Sequence, residues 1–335
     1  MGKSTTETAA TSNHKKVVIA IGGNSLISIN KPVSNQRKEN HFDFTAIEET
    51  TKNIARIVLD GYRVVITHGN GPQVGDILIR SYLTRNYLPE ITLDMANAIT
   101  QSEIGYVLQH SLKNQLAKLK QDVTIATVVT QVLVDKNDKA FSSYTKPVGP
   151  FYTKKEAFEL QKKHGWIMKE DAGRGYRRLV SSPKPIKIIE IEAILHMIEA
   201  GIVVIACGGG GIPVYQTNNG KLAPCAAVID KDLTSALLAK LIDADIFLIS
   251  TGVKYAYLYY NTPNQKILNN ITLSQAKTYL KQGHFEVGSM KPKIEAAINF
   301  LSSTNKPDKQ VIITDPKNIA RALHNKKIGT HISIA

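Results

Sequence analysis

Seven short runs of β-branched and aliphatic residues recur along the chain: VVIAI (17–21), RVVIT (63–67), VTIATVV (123–129), IVVIAC (202–207), DIFLIS (245–250), YAYLYY (255–260) and QVIIT (310–314). Between most of them the apolar residues fall at helical spacing. Residues 44–60 place Ile47, Ile54, Ile57 and Val58 on one face, and Gly61 follows as a helix terminator. Residues 95–119 repeat the pattern with Ile104, Val107, Leu108, Leu112, Leu116 and Leu119. Residues 190–200 repeat it with Ile191, Ile194, Leu195 and Ile198 before Gly201. Strands alternating with helices predict an α/β protein with a mostly parallel sheet. In such sheets ligands gather outside the carboxyl ends of the strands.

Three of the predicted strands end there in glycine: Gly22-Gly23-Asn24, Gly69-Asn70-Gly71 and Gly208 to Gly211. One such cluster is a tight turn. Three at strand ends bring converging backbone N–H groups together and suit an anion. None fits the dinucleotide fingerprint GxGxxG with its acidic partner, nor the P-loop GxxxxGK[ST]. The first loop has Asn24 where a phosphate-binding lysine could stand, and the next lysine is Lys31. If these loops handle phosphate, the positive charge must come from elsewhere.

Three segments could supply it. VIDKDLTSALLAKL (228–241) sets Asp230, Lys231 and Asp232 before a helix. An N-cap explains one aspartate, but a cation is unfavourable at a helix N-terminus. A lysine held between carboxylates suits phosphoryl transfer. GHFEVGSMKPKIEAAINFL (283–301) offers Ser289 as a cap, Pro292 in the first turn and Lys293 beyond it. In AFSSYTKPVGPFY (140–152), Pro147 holds Lys146 in extended backbone. EDAGRGYRR places Arg174, Arg177 and Arg178 close together, either to clamp anions or to pair with Glu170 and Asp171.

Composition narrows the class. The chain has 335 residues, 43% hydrophobic, enough for a large core of more than one lobe. No apolar run reaches the roughly 18–20 residues of a membrane helix. Two cysteines, Cys207 and Cys225, argue against a disulfide framework and for a reducing compartment. MGKSTTETAATSNH, at the start, lacks a signal-peptide apolar core and reads as a disordered tail. The formal net charge of +14 favours anionic partners, nucleotides among them. Residues 132–187 carry 13 Lys and Arg against 6 Asp and Glu, a net of +7. This stretch breaks the strand–helix rhythm and reads as an insertion with hairpin arms. The lobe boundary falls near the Gly/Pro cluster at 208–224. His68 and Ser25 lack nucleophile-elbow context. His14, His110, His164 and His196 stand singly without metal-ligand spacing, and no cysteine has a catalytic setting.

VVIAIGGNSL, VITHGNGPQVG, ITQSEIGYVLQ, TKPVGPFYT, KEDAGRGYRRLVSSPKP, IVVIACGGGGIPV, VIDKDLTSALLA and GHFEVGSMKPKIEAA resemble, in order, the signatures of carbamate kinases within the amino acid kinase family. The resemblance runs from about residue 16 to the C-terminus. It implies a three-layer α/β/α sandwich around a mainly parallel eight-stranded sheet with a protruding subdomain. The tail would span 1–15. A carbamate-binding lobe would span 16–215 and include a lid at about 132–182, and a nucleotide-binding lobe would span 216–335. The implied reaction is reversible, Mg²⁺-dependent phosphoryl transfer between ATP and carbamate, giving carbamoyl phosphate and ADP. It would generate ATP in the cytoplasm as the last step of arginine deimination, in a homodimer with neither nucleic acid nor membrane as partner.

Matched motifs carry the implied roles. Gly22, Gly23, Asn24, Gly69, Asn70 and Gly71 surround carbamate and the transferring group. Gly209 and Gly210 line the nucleotide side. Lys231 and Lys293 contact ATP phosphates, Asp232 organises them, and Lys146 reaches in from the lid. No protein metal ligand is implied. Thr251-Gly252-Val253 departs from the family's Thr-Asp-Val, and Lys291 stands where glycine is common. Two other classes compete with this resemblance. Other acyl-phosphate-forming kinases of the family often carry a lysine in the first loop and lack the Thr-Lys-Pro insertion. A basic nucleic-acid-binding or regulatory protein fits the charge, but no nucleic-acid motif is present.

Overall fold

The computed structural model describes residues 14–23, 26, 42–170 and 175–334. Asn24, Ser25, Lys31, Asp171, Arg174 and all of the N-terminal tail before His14 lie outside them. The central sheet has eight strands: β1 (Lys16–Ile21), β2 (Arg63–His68), β3 (Ile125–Thr127), β4 (Val203–Ile205), β5 (Ile246–Ser250), β6 (Asn270–Thr272), β7 (Gln310–Thr314) and β8 (Thr330–Ser333). Their order is β6-β8-β7-β5-β1-β2-β4-β3, and every pairing is parallel except β7 with β8. At the centre, Val17 of β1 faces Ile246 of β5 on one side and Val64 of β2 on the other.

The apolar runs have this position because both faces of the sheet are covered. Val17, Ile19 and Ile21 enter one core with Ile47 and Ile54 of the Phe44–Leu59 helix and Ile104 and Leu108 of the Leu93–Lys118 helix. Val18 and Ala20 enter the opposite core with Ile194, Leu238 and Ile294, each from a different helix. The result is the three-layer α/β/α sandwich. The helix limits follow the sequence signals. Asp43 Oδ1 accepts the Ala46 N–H at 3.1 Å, and Gly61 takes φ +85° just past the end.

Several expectations need correction. Only Ala256–Leu258 of YAYLYY forms a strand, and it pairs antiparallel with Lys266–Leu268 outside the central sheet. Tyr259 and Tyr260 are exposed, and a run of tyrosines needing water at its hydroxyls cannot fill a strand covered on both faces. β6 and β8, short and mixed in polarity, had no apolar run to announce them. VTIATVV shrinks to the three residues of β3 because it lies at the sheet edge. Ser289 stands before the Met290–Ser302 helix, but its side chain makes no capping bond.

The insertion is a three-stranded antiparallel sheet of Lys146–Tyr152, Tyr176–Val180 and Ile167–Glu170, with one helix at Lys154–His164. Thr153 and Glu156 cap that helix reciprocally, and Gly165 closes it at φ +64°. A four-stranded sheet that includes Gln131–Leu133, Lys187–Ile188 and Ile212–Gln216 anchors the root of the insertion. The insertion then folds over the body. A Cβ on Gly75, in the Gly71–Thr84 helix, would lie 2.0 Å from Gly149 Cα. Backbone meets backbone there, so Gly75 tolerates no side chain without displacing the strand, while Gly149 is held to glycine by its φ of +80°.

Candidate active site

The Lys231–Leu241 helix organises the site. Asp230 caps it, with Oδ1 accepting the Asp232 N–H at 2.9 Å. That leaves its Oδ2 free to accept Lys146 Nζ at 2.5 Å, an ion pair joining the insertion to the body. Asp232, in the first turn of the helix, points inward, where it is 3% exposed. Its two oxygens are divided between two lysines: Lys231 Nζ donates to Oδ1 at 2.6 Å and Lys293 Nζ to Oδ2 at 3.0 Å. Lys293 comes from the first turn of the Met290–Ser302 helix and also reaches the Ser289 carbonyl at 3.4 Å. Three ammonium groups and two carboxylates leave one net positive charge.

The electrostatics follow from burial. Burial alone would raise the Asp232 pKa, but Lys231 and Lys293 hold it well below the usual carboxylate range. Burial depresses the Lys231 pKa against the pull of Asp232. For Lys293 burial also pushes downward, but Asp232 overcomes it and raises the pKa. Of the two lysines on Asp232, Lys231 is therefore the one whose desolvation is less compensated. A phosphate oxygen entering beside it would supply what is missing.

The glycine loops frame the same space. A cavity of about 190 Å³ is lined by Gly69, Asn70 and Gly71 on one wall. Gly209, the Asp230–Asp232 turn, Lys293 and, from the insertion, Lys146 complete it. A Cβ on Gly69 would touch the Lys231 stem at 3.7 Å. One on Gly209, where φ is +67°, would collide with the Asn70 amide at 2.1 Å. Glycine is thus required where two loops nearly touch. Gly210 lies behind the wall, its carbonyl accepting the Thr234 hydroxyl at 2.9 Å. Gly22 ends β1 against the Ser250 carbonyl. Neither Gly22 nor Gly23 lines this cavity, and Asn24 lies outside the described residues.

Sequence reading missed the residues that hold the loops. Asn70 Nδ2 donates to Asn97 Oδ1 at 3.0 Å and to Thr100 Oγ1 at 2.9 Å, both on the Leu93–Lys118 helix. Gln101, one residue on, donates to the Gly208 and Thr130 carbonyls and accepts the Thr130 N–H. Buried His68 donates from Nδ1 to the Gly69 carbonyl at 3.1 Å, and burial pushes its pKa down to about 4. The sequence carries no signal for them, because polar residues on a helix do not reveal whether they are buried. The arginines of the insertion behave differently from one another. Arg177 donates to the Gly149 carbonyl at 2.9 Å, and the Arg178 guanidinium stacks 4.5 Å from the Trp166 ring centre.

Burial pushes the Cys207 thiol far up and raises Cys225 to about 11, which keeps both protonated and unreactive. Among the described residues no three His, Cys, Asp or Glu gather as metal ligands. None of their helices is long and apolar enough to cross a membrane.

Comparisons with known proteins place the whole chain. The sequence model of the amino acid kinase family matches residues 15–315. The carbamate kinase of Pyrococcus horikoshii is 44% identical over 322 residues, 95% of this chain and 99% of that protein. The carbamate kinase of Clostridium perfringens is 43% identical, with the same coverage. The Giardia lamblia carbamate kinase bound to citric acid superposes with a TM-score of 0.88 at 38% identity, covering 96% of this chain and 99% of that one. Its complex with AMP-PNP gives 0.84. The chain belongs to the amino acid kinase family and, within it, to the carbamate kinases.

Proposed function

We propose that the protein transfers a phosphoryl group reversibly between ATP and carbamate, forming carbamoyl phosphate and ADP. The observation that carries this reading is the convergence of Lys146, Lys231 and Lys293 from three separate elements on one glycine-walled cavity. In the ATP-forming direction an oxygen of the ADP β-phosphate attacks phosphorus as the bond to the carbamate oxygen breaks. Carbamate leaves as an anion, so neither direction needs a general base. Catalysis rests on alignment and on neutralising the equatorial oxygens.

The proposed roles follow position. Lys231 and Lys293 hold nucleotide phosphates, with Asp232 fixing both. Lys146 exchanges Asp230 for the transferring group. The loops at Gly22-Gly23-Asn24 and Gly69-Asn70-Gly71 hold carbamate and that group, with Gly209 and Gly210 on the nucleotide side. Carbamate then binds in the lobe of residues 16–215 and nucleotide in that of 216–335, under a lid at 132–182. Mg²⁺ enters as part of the nucleotide substrate, chelated by its phosphates. The two carboxylates of the cleft already accept from lysines, a donor set suited to an ion carried in by the substrate.

A homodimer is proposed from the Leu93–Lys118 helix. Its residues Met95, Ile99 and Tyr106 are 53%, 39% and 66% exposed on one face, and sedimentation at micromolar concentration tests it. Two unpaired cysteines support a cytoplasmic setting, where the enzyme would make ATP at the end of arginine deimination. The test of activity is ATP formation from ADP, Mg²⁺ and carbamoyl phosphate by the pure folded protein. Formation of ATP supports the reading, and none at any enzyme concentration overturns it.

A further inference from the structure

A second cavity, of about 930 Å³, lies at the root of the insertion, outside the cleft just described. Its volume falls in the range of sites that enclose a small molecule. Phe141, Tyr144, Trp166 and Tyr215 give it aromatic walls, and Lys136 and Arg178 bring cations. Among the described residues no aspartate or glutamate lines it.

Arg178 is the informative group. It is half-buried, and its guanidinium carbon lies over the Trp166 ring, 4.5 Å from the ring centre. The guanidinium donors have no partner among the described residues, and no carboxylate there pairs with them. Among the described residues Lys136 has a neutral partner alone, the Asn218 side-chain oxygen at 3.2 Å. A planar fork of donors with no acceptor, fixed against an aromatic ring, matches a phosphate or carboxylate bound edge-on. The remaining aromatic walls offer stacking for a flat ring beside that anion.

We propose that this cavity is a second ligand site, for an aromatic anion of the nucleoside monophosphate class, with Arg178 on the anion and Tyr215 on the ring. The site does not depend on the kinase reading. It does share a wall with the cleft. Val180 pairs across the sheet with Lys146, and the Ser181 carbonyl accepts the Val228 N–H at 3.0 Å. Val180 and Ser181 line the second cavity, and Lys146 and Val228 line the first.

Trp166 is the sole tryptophan of the chain, so its fluorescence reports on this cavity. AMP titrated into the wild-type protein is expected to change that fluorescence saturably. Arg178→Met should weaken AMP by about tenfold or more, while leaving ATP formation from carbamoyl phosphate intact. Tyr215→Ala keeps both Arg178 and Trp166 and should weaken AMP as well, which covers the case of a misfolded Arg178→Met. Lys293→Met, on the transfer cleft, should keep the response. Adenosine and inorganic phosphate should each act far more weakly than AMP. The proposal is overturned by no saturable response at millimolar AMP, or by a response lost in Lys293→Met and kept in Arg178→Met. An equal response to inorganic phosphate alone overturns it too.

Discussion

Asp232 carries the most consequence of any single residue. It holds two lysines apart from one another and aimed at one space. Asp232→Asn removes the charge that both ammonium groups share while burying them as before. Breaking a buried ion pair from one side is destabilising by roughly 3–5 kcal/mol, and urea unfolding at neutral pH should show a loss of that order. His68 gives a different signature. Burial lowers its pKa to about 4, against about 6.5 in an unfolded chain. A depressed folded value means that the stability is fully present above the unfolded pKa and is lost as pH falls through the folded one. Between pH 7 and 4.5 His68 should therefore cost the fold roughly 2–3 kcal/mol. His164 and His331, also depressed, add to the same slope, so the comparison must be with a variant. His68→Gln should lose less stability than wild type over this interval, and equal losses would remove His68 from the account.

At the scale of elements, the seating of the insertion on the Gly71–Thr84 helix depends on a glycine pair. A methyl group at Gly75 meets Gly149 backbone at 2.0 Å, and no flexible side chain can yield to it. Gly75→Ala should lift the strand that carries Lys146, lowering turnover at least tenfold. The urea midpoint should move little, because the central sheet takes no part in the contact. A variant with unchanged turnover would show that this seating is dispensable. The sequence revealed the central elements because strands buried on both faces carry near-continuous apolar runs, as residues 17–21 of β1, 64–66 of β2 and 246–249 of β5 do. It concealed β6 and β8, where Asn270, Thr272, Thr330 and Ser333 dilute the pattern. It misled at YAYLYY, where strand propensity is high and the partner strand lies elsewhere. Lysines at helix starts were legible as an anomaly of the macrodipole. Asn97, Thr100 and Gln101 were not, because a buried polar residue on a helix looks like an exposed one until its partner is known.

At the scale of the whole molecule, the first glycine loop can lack a lysine because charge is delivered by the fold. Residues 146, 231 and 293 meet in one cavity although they lie far apart along the chain. Two of these lysines rest on Asp232 in the body, and the third arrives with the insertion and rests on Asp230. The net charge of +14 makes the molecule attractive to phosphates, but only this cluster gives the attraction a direction. Lys146 is the part whose presence depends on the insertion being folded over. Its removal separates the two things that charge can do, namely bind nucleotide and stabilise the transferring group. The decisive measurement is therefore the kcat for ATP formation and the Kd for ADP of Lys146→Ala, side by side. The expected result is a fall of about 10²–10³ in kcat with the Kd for ADP within a few-fold of wild type. An unchanged kcat, or a loss confined to ADP binding, would contradict the assignment of Lys146 to the transferring phosphoryl group.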